Sequence, residues 1–185
     1  MWPRLVAALL VAAGPAAATG IEITVAGEGG NGVVAIDLLE DVAPGHVDRI
    51  TTLAASGAYD NVAFHRVIEG FMAQTGDVQH GVLGDGYDAR RAGTGASDMP
   101  DLPQEFSDVP LDAGIVGLAR SAAADSANSQ FFIMFAPGYF LNSQYTVVGR
   151  VTSGQDVVNA IKKGHPRSGA ITGAPDRIVS VTVTE

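Results

Sequence analysis

Cysteine is missing from this chain of 185 residues. Its absence excludes disulfides, a thiol nucleophile and a lipid-modified cysteine anchor, so the fold rests on packing and hydrogen bonds alone. Positive charge is also scarce: 11 Lys and Arg face 20 Asp and Glu, for a net charge of −9 and a pI near 4.7. Such a balance excludes non-specific binding to nucleic acid and docking on anionic lipid, and otherwise speaks only to solubility. Aromatic residues, at 6%, supply no platform for a sugar-binding barrel. The four histidines (His46, His65, His80, His165) show no helix or finger spacing. The acids from Asp77 to Asp101 lack the glycine and glutamate positions of a calcium loop and read as solvated loop residues. No metal site is expected. Gly81, Gly84 and Gly86 form no phosphate-binding turn, and no Walker lysine follows, so no cofactor is expected either. Ser129 lacks the glycine elbow of a hydrolase nucleophile.

One long apolar run remains, at the start. Arg4 and the terminal amine precede Leu5–Ala13, and Ala16-Ala17-Ala18 offers a small-x-small cleavage site before Thr19. The pattern predicts a signal peptide over residues 1–18, export (periplasmic), and a single domain over 19–185. Leu5–Ala18 is too short to span a bilayer and is interrupted by Gly14-Pro15, so no membrane insertion is expected after cleavage. Losing Arg4 takes the charge from −9 to −10, one positive side chain fewer.

What is present is a globular, turn-rich composition: 46% hydrophobic residues, 23 glycines and 9 prolines. Ile21–Val25 and Val33–Leu39 alternate as a hairpin around a glycine-rich turn. Pro44 opens a helix with Val47, Ile50, Thr51 and Ala54 on one face, and Ser56-Gly57 closes it. Strands are predicted at Val62–Ile68, Phe71–Gln74, Ile115–Arg120, Phe131–Phe135, Thr146–Val151 and Ile178–Thr184, with a short helix over Gln155–Lys162. The stretch from Gly76 to Pro103 has no periodicity and reads as a long loop of functional interest. First and last strands of similar pattern suggest a closed antiparallel barrel, which leaves no exposed edge. The expected fold is a mainly β, closed eight-stranded antiparallel barrel with two capping helices.

The run Phe64–Gln74 carries the functional argument. It sets Arg66 and Gln74 among large apolar side chains, with Gly70 between two short strands. Alternation places Arg66 on a face with Phe64 and Ile68, Phe71 with Ala73, and Met72 with Gln74. A cation on an apolar sheet needs a partner or a task. Two readings of Arg66 stand at this point: an ion-paired core arginine, or a donor beside a pocket for an apolar group and a neutral amide. Phe71, Met72, Phe131, Phe132 and Phe140 are core residues by default, and Gln74 and Gln130 are satisfiers of backbone groups.

These residues resemble the cyclophilins, the peptidyl-prolyl cis–trans isomerases, over about Ile21 to Thr184. The similar segments are Phe64-His65-Arg66-Val67-Ile68, Gly70–Asp77, Gly93-Thr94-Gly95, Ile115–Ala119, Ser129-Gln130-Phe131-Phe132-Ile133 and Leu141 followed by Tyr145–Val151, all in the family's order. The resemblance implies an isomerase of X-Pro bonds, without cofactor or covalent intermediate, acting on proline-containing unfolded or extended polypeptides. It implies Arg66 as the catalytic arginine, and Phe71, Met72, Phe132 and Leu141 as walls of the proline pocket. Gln74 and the backbone of Arg120 become partners of the substrate amides, Ala119 and Gln130 the floor of a neighbouring subsite, and Gly93 its rim. His65 is supporting structure. Phe140 stands where many members carry a tryptophan that helps bind cyclosporin, so weak cyclosporin binding is expected. Tyr145 stands where those members carry histidine, and Arg120 replaces an asparagine. Val78–Ala92 is longer than in compact members and reads as an extra rim loop. A monomer is expected. The rival reading is a chaperone or assembly module that holds proline segments on the same barrel with little catalysis.

Overall fold

The computed structural model describes residues 19–185, so the expected signal peptide lies outside the described residues. Eight strands, β1 (Gly20–Ala26), β2 (Gly32–Leu38), β3 (Arg66–Ile68), β4 (Met72–Thr75), β5 (Ile115–Leu118), β6 (Phe131–Met134), β7 (Val147–Ser153) and β8 (Arg177–Thr184), form one antiparallel sheet. Two short helices accompany it, α1 (Pro44–Ala55) and α2 (Gln155–Ala160), with a single 3₁₀ turn at Tyr139–Leu141. Strand order is β3-β4-β6-β5-β7-β2-β1-β8.

The sheet curls but does not close. Its edge strands β3 and β8 stand 11 Å apart, so the molecule is an open half-barrel and the closed barrel expected from the strand pattern is wrong. The cause is a competitor for the β3 edge. Val67 donates its N–H to Gly169 O at 2.9 Å, and Val67 O accepts from Gly164 N at 2.9 Å. The irregular stretch between residues 164 and 170 thus takes the backbone groups that β8 would need. Among the described residues an isolated antiparallel bridge, Ala63 opposite Arg177, spans the seam through Phe64 N–H to Asp176 O at 2.9 Å and Ile178 N–H to Val62 O at 2.8 Å.

Alternation along the central strands divides the interior in two. Ala73, Phe131 and Ile133 face a large cluster with Ile23, Ile36, Phe64, Val67 and the α1 residues Val47, Ile50 and Leu53. Met72, Phe132 and Met134 face the other way, with Leu111 and Val147, beneath the candidate site. Two expected face assignments fail here. The ladder begins only at Arg66, so Phe64 is free to turn into the large cluster, away from Arg66. Gly70 adopts φ +69° in a turn, and Phe71 leaves the strand to join Met72 and Gln74 rather than Ala73.

Helix α1 begins at Pro44, but Ala43 has no side chain able to cap it. Glu105 does that from across the sequence. Its carboxylate accepts from Gly45 N at 3.1 Å and His46 N at 3.0 Å, and meets the His46 ring Nδ1 at 2.6 Å. A carboxylate on the first-turn N–H groups satisfies the donors that every helix start leaves unpaired.

Candidate active site

Four residues on four neighbouring strands lie in one register row: Arg66 opposite Gln74, Gln74 opposite Phe132, Phe132 opposite Gly117. A row across an antiparallel sheet projects to one side, so strand pairing alone sets a guanidinium, a carboxamide and an aromatic ring side by side. The fourth member needs no side chain. A Cβ on Gly117 would stand 2.5 Å from Phe132 Cζ, so the ring occupies the space glycine leaves.

Arg66, Gln74 and Phe132 of this row line a depression of about 380 Å³ together with Phe71, Met72, Ala119, Arg120, Phe140, Leu141 and Tyr145, with Gly117 behind the Phe132 ring. Phe132 meets Tyr145 edge-on, with centroids 5.5 Å apart. Phe71 and the exposed Phe140 stack at 5.6 Å on the rim. Tyr145 also lies under the Arg120 guanidinium, whose Cζ is 4.8 Å from the ring centroid. The Arg120 side chain is tied to Gln144 O at 2.8 Å and Ser121 O at 3.0 Å, while its backbone N–H and C=O join none of the hydrogen bonds among the described residues. Gln130 and Gly93, the other two residues singled out from the sequence, line an adjoining hollow that shares Gln74, Ala119 and Arg120. Residues 78–92 line neither hollow.

Polar contacts run continuously between the two hollows. Gln130 Nε2 donates to Gly95 O at 2.8 Å and Gly93 O at 3.1 Å. Two carbonyls can only accept, which fixes the Gln130 amide with its oxygen toward Gln74. Gln74 Nε2 donates to that oxygen at 2.9 Å, and this leaves Gln74 Oε1 to accept from Arg66 Nη1 at 3.2 Å. Arg66 Nε donates to Ser168 O at 3.2 Å, and Nη1 also lies 3.8 Å from the Met72 sulfur. Nη2 has no partner among the described residues. Partial burial lowers the Arg66 pKa, but a guanidinium remains a cation at neutral pH.

Asp77, read from the sequence as a solvated loop acid, is fully buried and anchors the far end of this chain. Its Oδ1 accepts from Gln79 N (3.1 Å) and His80 N (2.8 Å), its Oδ2 from Gly93 N (2.7 Å) and Gly95 N (2.9 Å). Burial alone pushes its pKa up, and the four backbone donors outweigh this and hold it below the ordinary carboxylate value. Both ends of the loop are thereby clamped to one side chain. His65 fills the space under Gly93, where a Cβ would come within 2.8 Å of the imidazole, and Gly93 itself has φ +93°. Burial holds the His65 pKa down, which keeps the ring neutral. Gly117 and Asp77 are the two functional positions that residue patterns missed. The spacing from Asp77 to two glycines in Gly93-Thr94-Gly95 was the available signal. Among the described residues, no three His, Cys, Asp or Glu side chains converge to hold a metal ion, and no helix is long and apolar enough to cross a membrane.

Comparison with known proteins places this architecture. The family described as cyclophilin type peptidyl-prolyl cis-trans isomerase/CLD matches residues 21–183. A probable peptidyl-prolyl cis-trans isomerase of Brucella suis is 56% identical over 153 residues, 83% of this chain and 78% of the relative. Peptidyl-prolyl cis-trans isomerase-like 1 of Aspergillus oryzae is 35% identical over 69% of this chain and 74% of its own. Among solved structures, a cyclophilin from Hirschia baltica superposes with TM-score 0.70 at 26% identity, covering 88% of this chain and 73% of that one. A Cryptosporidium parvum cyclophilin shares the fold, with TM-score 0.73 at 22% identity, covering 91% and 99%. The chain belongs to the cyclophilin family. It is a peptidyl-prolyl cis–trans isomerase that acts on proline-containing polypeptides.

Proposed function

We propose that Arg66 is the catalytic residue and that the adjoining depression is where a client proline ring is held. Twisting an X-Pro bond removes its double-bond character across a barrier of about 18–20 kcal/mol. The nitrogen then becomes pyramidal and gains a lone pair. A guanidinium held beside it donates more strongly to this state than to the planar amide, and that difference accelerates the reaction. The observation that carries the assignment is the geometry of Arg66. Nε and Nη1 are fixed by Ser168 and Gln74, and Nη2 has no partner among the described residues, on a side chain that lines the depression. Phe71, Met72, Phe132, Phe140, Leu141 and Tyr145 supply apolar walls for the ring. In this reading Gln74 and the Arg120 backbone, unpaired among the described residues, bind the flanking amides, while Ala119, Gln130 and Gly93 line the adjoining hollow.

The test is the cis-to-trans rate of a short X-Pro peptide with native protein, Arg66→Ala and Arg66→Lys. Arg66→Ala should lower kcat/KM by about 10²-fold, near 3 kcal/mol, in a folded protein. Arg66→Lys should recover little, since an ammonium cannot keep the Ser168 and Gln74 contacts and still present a free donor. Near-native turnover by a folded Arg66→Ala variant rules the assignment out.

The clients we propose are exported proteins. This reading rests on the charged start, the apolar Leu5–Ala13 and the Ala16-Ala17-Ala18 motif. Protein recovered from a bacterial periplasm should begin near Thr19, and retention of the first 18 residues in the cytoplasm would refute export. The enzyme works as a monomer in this proposal and binds cyclosporin weakly, since Phe140 has no N–H to donate.

A further inference from the structure

The hollow beside the proline depression measures about 390 Å³, and Asp101 is the only carboxylate among its lining residues. That carboxylate is held in place. Asn128, 7% exposed, donates to Asp101 Oδ1 at 2.9 Å and to Met99 O at 3.0 Å, and accepts from Ser97 N at 2.9 Å and Ser97 Oγ at 2.6 Å. Arg49 on α1, 4% exposed, donates to Pro100 O at 2.6 Å and Asn128 O at 3.3 Å from behind the same wall. Two buried side chains therefore fix the segment that carries Asp101, and its Oδ2 has no partner among the described residues. The one cation on the lining, Arg120, is committed to the carbonyls of Gln144 and Ser121 and to the Tyr145 ring. A client therefore meets one fixed, free anionic oxygen in this hollow, on a protein whose net charge is already −9.

We propose that Asp101 is a specificity-determining residue: it seats the ammonium or guanidinium of a lysine or arginine close to the isomerised proline and disfavours an acidic side chain there. The inference rests on the first depression being the proline site. The two hollows share Gln74, Ala119 and Arg120. An extended chain advances about 3.3 Å per residue, so the selected side chain lies within a few residues of the proline.

The experiment is a peptide series with Lys, Ala or Glu at each position flanking one proline, assayed with native protein and Asp101→Asn. For native protein, kcat/KM should favour Lys over Glu by about fivefold at one position, the range of a partly exposed ion pair. The preference should shrink at about 1 M salt, where the Debye length is near 3 Å. Asp101→Asn retains an oxygen for Asn128 and should bring the Lys:Glu ratio close to one. A native ratio near one at every position, or a ratio that survives in Asp101→Asn, overturns the proposal. Failure of native protein to accelerate any of the peptides would instead overturn the proline-site reading beneath it.

Discussion

Replacing Gly117 by alanine tests whether the register row builds the site. The added Cβ would lie 2.5 Å from Phe132 Cζ and 3.1 Å from both Cε atoms. Carbon atoms rest at about 3.5–4.0 Å, so the ring must move by roughly 1 Å. Tyr145 stands edge-on to that ring and Met72 and Val147 pack in the same cluster, so the motion that remains is into the depression. Overpacking of this kind costs about 1–3 kcal/mol. For a domain of this size that lowers Tm by about 2–4 °C per kcal/mol. The larger effect should fall on catalysis. If the depression holds the client proline as proposed, a wall displaced by about 1 Å moves that ring against Arg66, and misplacement on that scale costs up to about 10²-fold. Peptide isomerisation should show kcat/KM lower by at least about tenfold while the circular dichroism spectrum stays native. A double-mutant cycle with Phe132→Leu separates this from general damage. Once the ring is gone, adding the Cβ should cost less, with a coupling energy of about 1 kcal/mol or more. Native Tm and native kcat/KM in Gly117→Ala would refute the argument.

Asp77→Ala strands four backbone N–H groups inside the protein and should cost about 2–4 kcal/mol in denaturant unfolding, with a raised KM because Gly93 and Gly95 hold Gln130; a change under about 0.5 kcal/mol would contradict that role. Acid should weaken the fold in two stages. The pKa of His65 is held down by burial, so its contribution is complete above about pH 6.5 and declines as pH falls below that toward the folded value. Asp77 and Glu105 are also held below their ordinary values, the backbone and His46 hydrogen bonds outweighing burial. Their contribution is complete above about pH 4.3 and is lost as pH falls through the folded values. Denaturant midpoints measured against pH check both limbs. Glu105→Gln should flatten the lower one, and a midpoint that rises on acidification would refute the scheme. For cyclosporin, Phe140→Trp should tighten binding in a titration, and equal affinity of the two proteins would remove the indole donor from the explanation.

Side-chain chemistry was legible in the sequence, and backbone chemistry was not. Arg66 and Gln74 could be singled out because a cation and a polar amide among large apolar residues are costly without a purpose, whereas Phe132 stood out only through the resemblance to the cyclophilins. Their side-by-side placement depended on ladder registers that no spacing along the chain encodes. The face of Phe64 was misread because β3 starts at Arg66, and the face of Phe71 because Gly70 takes that residue out of β4. Alternation is informative only inside the ladder. The barrel was expected to close because Ile21–Val25 and Ile178–Thr184 share a pattern. That pattern reports which side faces the core and says nothing about who takes the edge. The edge went to Gly164 and Gly169, in a stretch without periodicity.

Asp77 and Glu105 show the same division at larger energetic stake. Each is a carboxylate whose partners are mostly main-chain N–H groups, on 79, 80, 93 and 95 for one and on 45 and 46 for the other. An acid in a Gly- and Asp-rich loop looks solvated, since its true partners carry no residue identity. The glycines at 93 and 95 are the trace they leave. A Cβ on Gly95 would come within 2.3 Å of Asp77 Oδ1, so only glycine lets that N–H reach the carboxylate. In this chain the two glycines 16 and 18 residues after Asp77 therefore mark a buried anion and its donors. Here that anion fixes Gly93 and Gly95, these fix Gln130, Gln130 fixes Gln74, and Gln74 fixes Arg66, the arginine proposed as catalytic.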